Sequence, residues 1–107
     1  MNKGRFEIGM VIPAWSPRAG VGSAGSALVV AIEPSRRAAW VVDANKPDSA
    51  AGPRRLDIVY DDRFGEKMVA FPDFLHSSFR VFRADKATET RAVPEKLHIP
   101  LVEKHSA

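Results

Sequence analysis

The stretch Arg54 to Arg83, RRLDIVYDDRFGEKMVAFPDFLHSSFRVFR, decides how this sequence is read. Leu56, Ile58 and Tyr60 alternate with Arg55, Asp57 and Val59, the period-two pattern of a half-buried strand. Asp61-Asp62-Arg63-Phe64-Gly65 supplies turn chemistry, and Lys67–Phe71 reads as the returning strand of a hairpin. Pro72 stops it. Asp73 to Ser78 has the make-up of one short helical turn, and Phe79–Phe82 alternates again. A hairpin, a one-turn helix and a further strand form the back half of a small, strongly bent β-barrel.

The same reading extends upstream. Phe6–Ile12 alternates, with Phe6, Ile8, Met10 and Ile12 on one face, and Pro13 is expected to end it. Residues 13 to 26, PAWSPRAGVGSAGS, are rich in Pro and Gly and read as a long loop. Ala27–Glu33 is apolar and β-branched, as in a strand buried on both faces. Pro34-Ser35-Arg36-Arg37 is a turn, Ala38–Asp43 the returning strand, and residues 44 to 54 a second loop full of breakers. The expected core is Ile8, Met10, Leu28, Val30, Ile32, Trp40, Val42, Ile58, Val69, Phe71, Leu75 and Val81.

The fold expected is therefore all-β: a single SH3-like barrel of five to six strands over residues 1–83, with a one-turn helix before the last core strand. An OB-like barrel is the alternative, but it wants a real helix between its third and fourth strands. Pro47, Gly52 and Pro53 forbid one there. Residues 84–107 form a C-terminal extension that either packs on the barrel or is partly disordered. Leu97, Ile99, Leu101 and Val102 are its apolar residues. The resemblance to SH3-like and Tudor-like barrels is one of architecture.

Composition bounds the function. The 107 residues suffice for one domain, and 45% of them are hydrophobic, enough for a core. There is no cysteine, which excludes disulfides, zinc–thiolate sites and a thiol nucleophile. The first residues hold no apolar run long enough for a signal peptide, and no segment approaches the ~20 apolar residues of a membrane span. The expected location is cytoplasmic, without membrane contact. Net charge is +3, with ten Arg against six Lys. That balance suits an anionic partner without requiring one.

Gly20-Val21-Gly22-Ser23-Ala24-Gly25 matches G-x-G-x-x-G, with Asp43 at the dinucleotide spacing. It is also similar to the phosphate loop of ParA/MinD-type ATPases. Both need a strand running straight into Gly20, which Pro13 and Pro17 interrupt, and Ser23 stands where an ATPase carries its lysine. A mobile surface loop that binds no phosphate is the expectation. The histidines, His76, His98 and His105, lack metal-ligand spacing. No nucleophile elbow surrounds a serine. No cofactor, metal or catalytic residue is assigned, and a small enzyme is a distant alternative.

The arginines are better placed. Arg36, Arg37, Arg54, Arg55 and Arg63 fall in or beside turns, with Trp15, Tyr60 and Phe64 as nearby aromatics. Arginine interleaved with aromatics is how a small barrel holds phosphates and stacks bases. The expected function is a weak, sequence-tolerant nucleic-acid-binding module for DNA or RNA. The alternative is a protein-interaction or homo-oligomerising module; an aromatic cage for a methylated cation is a further use of Trp15, Tyr60 and Phe64.

Overall fold

A computed structural model describes residues 4–16, 21–70 and 80–99, with the backbone alone at 15, 16 and 21–24. Seven strands follow in order: β1 (Met10–Ser16), β2 (Val21–Ile32), β3 (Ala38–Asp43), β4 (Arg54–Asp61), β5 (Gly65–Ala70), β6 (Arg80–Arg83) and β7 (Glu89–Thr90). A one-turn 3-10 helix, Ala84–Lys86, separates the last two. The sheet order is β2-β3-β4-β5-β6-β1-β7, and β1 also pairs with β2, so the sheet curls round on itself. All strand pairings are antiparallel. This is a barrel-like all-β domain, with almost no helix among the described residues.

The β4–β5 hairpin forms as its sequence predicts. Asp61 faces Gly65, whose φ of +92° suits the glycine that closes the turn. The Asp61 carboxylate accepts the Arg63 N–H at 2.8 Å, an Asx turn that fixes the bend. The β2–β3 turn is closed by Arg36 N–H donating to the Glu33 carbonyl at 2.8 Å, with Arg36 itself left-handed at φ 61°. The expected one-turn helix at Asp73–Ser78, and with it Phe71, Leu75 and Phe79, lies outside the described residues.

Two expectations are corrected at the N-terminal side. The first strand starts at Met10 and not at Phe6. Gly9, at φ +98°, turns the chain, and a Cβ there would lie 2.7 Å from the Arg91 carbonyl oxygen. Ile8 sits on that turn and is 55% exposed rather than in the core. Nor does Pro13 end the strand or open a long loop. Pro13 faces Ser26 at a bulge where the register shifts, a position that tolerates a missing N–H. Beyond it Trp15 faces Gly22 and Ser16 faces Val21, so the second half of the expected loop is strand. Residues 21–25 of the glycine pattern therefore belong to strand β2 and not to a loop that opens a helix.

The third correction concerns which face is inside. The barrel interior holds Phe6, Ile12, Val29, Val41, Leu56, Met68 and Phe82 together with Ala14, Ala27, Ala39 and Ala70. Met10, Ile32 and Ile58 pack at its margin as expected. Leu28, Val30, Trp40 and Val42 are buried, but on the opposite, convex face, where Val93, Leu97 and Ile99 lie against them. The interior is filled by Phe6, Phe82, Met68 and Ile12 with alanines fitted between them, so both faces of β2 and β3 carry bulky apolar residues. The β2 sequence did read as buried on both faces, and it is.

The N-terminal segment completes the interior. Gly4 N–H donates to the Phe64 carbonyl and Glu66 N–H to the Gly4 carbonyl, both at 3.0 Å, a short parallel bridge onto the start of β5. Phe6 then enters the core at 0% exposure.

Candidate nucleic-acid interface

Hairpin geometry gathers part of the arginine set at one end of the barrel. The β2–β3 turn brings Arg36 and Arg37 there, and the β4–β5 turn brings Arg63 and Phe64. Tyr60 faces Glu66 across β4–β5 and is 63% exposed. The docked N-terminal segment adds Arg5, which is exposed. Sequence reasoning missed Arg5 because no local pattern reveals that Gly4 pairs with Gly65, some sixty residues on.

These cations are not equivalent. The Arg36 Nη2 donates to Glu66 Oε1 at 2.8 Å and to the Phe6 carbonyl at 3.0 Å, and its Nε reaches Glu66 Oε2 at 3.3 Å. Phe6 N–H donates to the same Glu66 Oε1 at 2.8 Å. Arg36 thus joins the β2–β3 turn to β5 and the N-terminal segment. Arg55 lies further along β4 on the outer face, bonded to Glu33 at 2.9 Å and to Asp57 at 2.9 Å. The Glu33 hydrogen bond holds its pKa above the ordinary arginine value. Arg54 is half-buried and lines a groove of about 350 Å³ with Leu56, Asp57, Val59 and Val69, away from the turn cluster.

Arg63 is 77% exposed and only loosely paired with Asp61, at 3.5 Å. Its guanidinium stands 4.8 Å from the Phe64 ring centroid, and that of Arg83 stands 3.6 Å from it. Arg83 is itself forked onto Asp85 at 2.7 and 3.0 Å. Phe64 already carries two cations on its ring. Trp15 belongs to β1 and faces Gly22 and Val81, at the far end of β2 from the Pro34–Arg37 turn. Among the described residues, Arg5 and Arg37 form no ion pair.

The acid at this turn has a measurable signature. The Arg63 N–H, then the Arg63 side chain and Lys67, pull Asp61 from the usual 3.8 down to about 2. A folded-state value below the unfolded one adds stability above the unfolded pKa. That contribution is lost as pH falls through the folded value. The Arg63 amide resonance is therefore expected to stay constant down to about pH 4 and to move with a midpoint near 2. Asp61→Asn should abolish the titration. A midpoint at 3.8 or above would show that the Asx turn is not formed.

Among the described residues, no three His, Asp or Glu side chains are grouped to hold a metal, and no helix is long and apolar enough to cross a membrane. Compared with protein-family models, curated proteins and solved structures, the chain shows no match to any.

Proposed function

We propose that this chain is a small cytoplasmic SH3-like binding module that holds the backbone of a nucleic acid weakly and without sequence preference. The 3-10 turn leading into a short strand that returns to β1 supports the SH3-like reading. The absence of cysteine suits a reducing compartment. The observation that carries the function is the barrel end itself. Among the described residues Arg5 and Arg37 form no ion pair, and they share this end of the barrel with the 77%-exposed Arg63 and the 63%-exposed Tyr60. Guanidinium groups free of carboxylates bind phosphate oxygens, and the phenol ring offers a stacking surface.

Of the five arginines named from the sequence, Arg37 and Arg63 keep the role of phosphate ligands and Arg5 joins them. Arg36 and Arg55 serve mainly to tie strands together. Two or three phosphate contacts imply a salt slope of roughly 2. Fluorescence anisotropy with mixed-sequence oligonucleotides is expected to show binding at low salt that fades steeply by physiological salt. Arg5→Ala with Arg37→Ala should weaken all sequences alike by about tenfold and reduce the slope by about one to two, while leaving the thermal midpoint nearly unchanged. No binding at low salt would reject the proposal. The reading left standing would be a protein-interaction or homo-oligomerising surface, for which the 46%-exposed Val59 beside the β4–β5 groove is the specific observation.

A further inference from the structure

The convex face of β2 and β3 is apolar where an outward sheet face is ordinarily polar. Leu28, Val30, Trp40 and Val42 are each buried to within a few per cent. What lies against them is a segment without helix or strand, residues 91–99, through Val93, Leu97 and Ile99. Its anchoring stops early. Arg91 N–H donates to the Gly9 carbonyl at 2.7 Å, and its side chain to the Ala44 carbonyl at 3.1 Å. From residue 92 to residue 99 no hydrogen bond ties the segment to the sheet among the described residues. Its three apolar side chains are themselves only half-buried.

The cover also fails to match what it covers. Trp40 is 7% exposed, and its indole Nε1–H has no acceptor among the described residues. A buried donor without a partner is unfavourable and uncommon in a native fold. Beside the cover, between it and the loop around Asp48–Pro53, a cleft of about 530 Å³ reaches Lys96, Leu97 and His98. The segment therefore gives shelter to the face without satisfying it.

We propose that residues 93–99 are an exchangeable cover. The β2–β3 face beneath them is then a docking surface for an extended peptide of a partner protein. That peptide brings spaced apolar side chains and one backbone carbonyl that accepts the Trp40 indole N–H. The occupant is an extended chain because the face already accommodates one. It is not the same segment of a second copy, because an identical cover would leave the same indole unpaired. The inference stands independently of the nucleic-acid reading, which concerns the other surface.

The test uses the full chain. The Trp40 indole resonance is assigned with Trp40→Phe. In the unmodified protein that indole proton is expected to exchange with solvent at least tenfold faster than the β3 amides, because the cover opens locally. Exchange of the indole only at the rate of the β3 amides would overturn the proposal. A Leu97→Asp, Ile99→Asp chain weakens the cover. Random nonapeptides selected by display against that chain, then synthesised, are expected to bind it at least tenfold more tightly than the unmodified protein. They should also move the indole N–H downfield and lose about five- to tenfold in affinity when Trp40→Phe is added. Selection of no peptide, binding with an unmoved indole, or dimerisation of the weakened-cover chain would each overturn it. If that chain fails to fold, the exchange measurement on the unmodified protein decides.

Discussion

Phe6→Ala is expected to remove about 3–5 kcal/mol of stability, the range for truncating a fully buried aromatic. For a domain of roughly 5–15 kcal/mol that is a large share of the whole. The side chain is 0% exposed and sits among Ile12, Met68 and Phe82, yet it belongs to no strand. It enters because Gly4 pairs with β5 just ahead of it. A Cβ on Gly4 would stand 2.3 Å from the Asp85 amide nitrogen and 2.8 Å from the Ala84 carbonyl carbon, both backbone. Gly4→Ala must therefore lift the segment, and about 1–3 kcal/mol is expected from that variant. Urea denaturation followed by circular dichroism is the measurement, with a lower midpoint at an unchanged slope. A loss under 1 kcal/mol for Phe6→Ala would mean the N-terminal segment is not part of the folded unit.

Glu66→Ala is expected to cost about 2 kcal/mol, more than an exposed ion pair provides. Its carboxylate serves Arg36 twice and the Phe6 N–H once, and the two side chains are only 13% and 29% exposed. Removing it leaves a guanidinium and a backbone donor without their acceptor in a partly desolvated place. Arg36→Ala should cost less, because Glu66 keeps the Phe6 N–H. A double-mutant cycle between the two is expected to give a coupling of about 1 kcal/mol. Coupling near zero would reduce the contact to a surface pair and return Arg36 to the set of arginines available for phosphate.

The strand framework was legible where pattern and punctuation agreed. Ala38–Asp43 has its expected ends, and the β4–β5 hairpin turns where Asp61 to Gly65 predict. What misled was the choice of face. Leu28, Val30, Trp40 and Val42 look like the interior, yet the interior is filled from the other face of the same strands, by Val29 and Val41 with Phe6, Ile12, Met68 and Phe82. Period two says which residues share a face but not which face is concave. The N-terminal boundary failed because the alternation of Phe6, Ile8, Met10 and Ile12 runs straight through Gly9, where the backbone turns. Of the arginines, turn placement was readable, but which would meet a carboxylate was not. Glu33 is twenty-two residues from Arg55 and Glu66 is thirty from Arg36. Such pairings are decided by register across strands, not by neighbourhood in sequence.

The seam where the sheet closes has a kinetic meaning. Among the described residues β1 and β6 share one register pair, Trp15 with Val81, which joins distant parts of the chain, whereas β2–β3 and β4–β5 are local hairpins with four or five pairs each. Closing a loop that long demands chain entropy before any contact rewards it. The hairpins therefore form first and the seam last, and the folding rate follows the slow, non-local end of the range for small domains. Until it shuts, β1 and β6 present bare edges to other chains. The hazard for this protein is thus concentrated in the moments after synthesis rather than in its finished state.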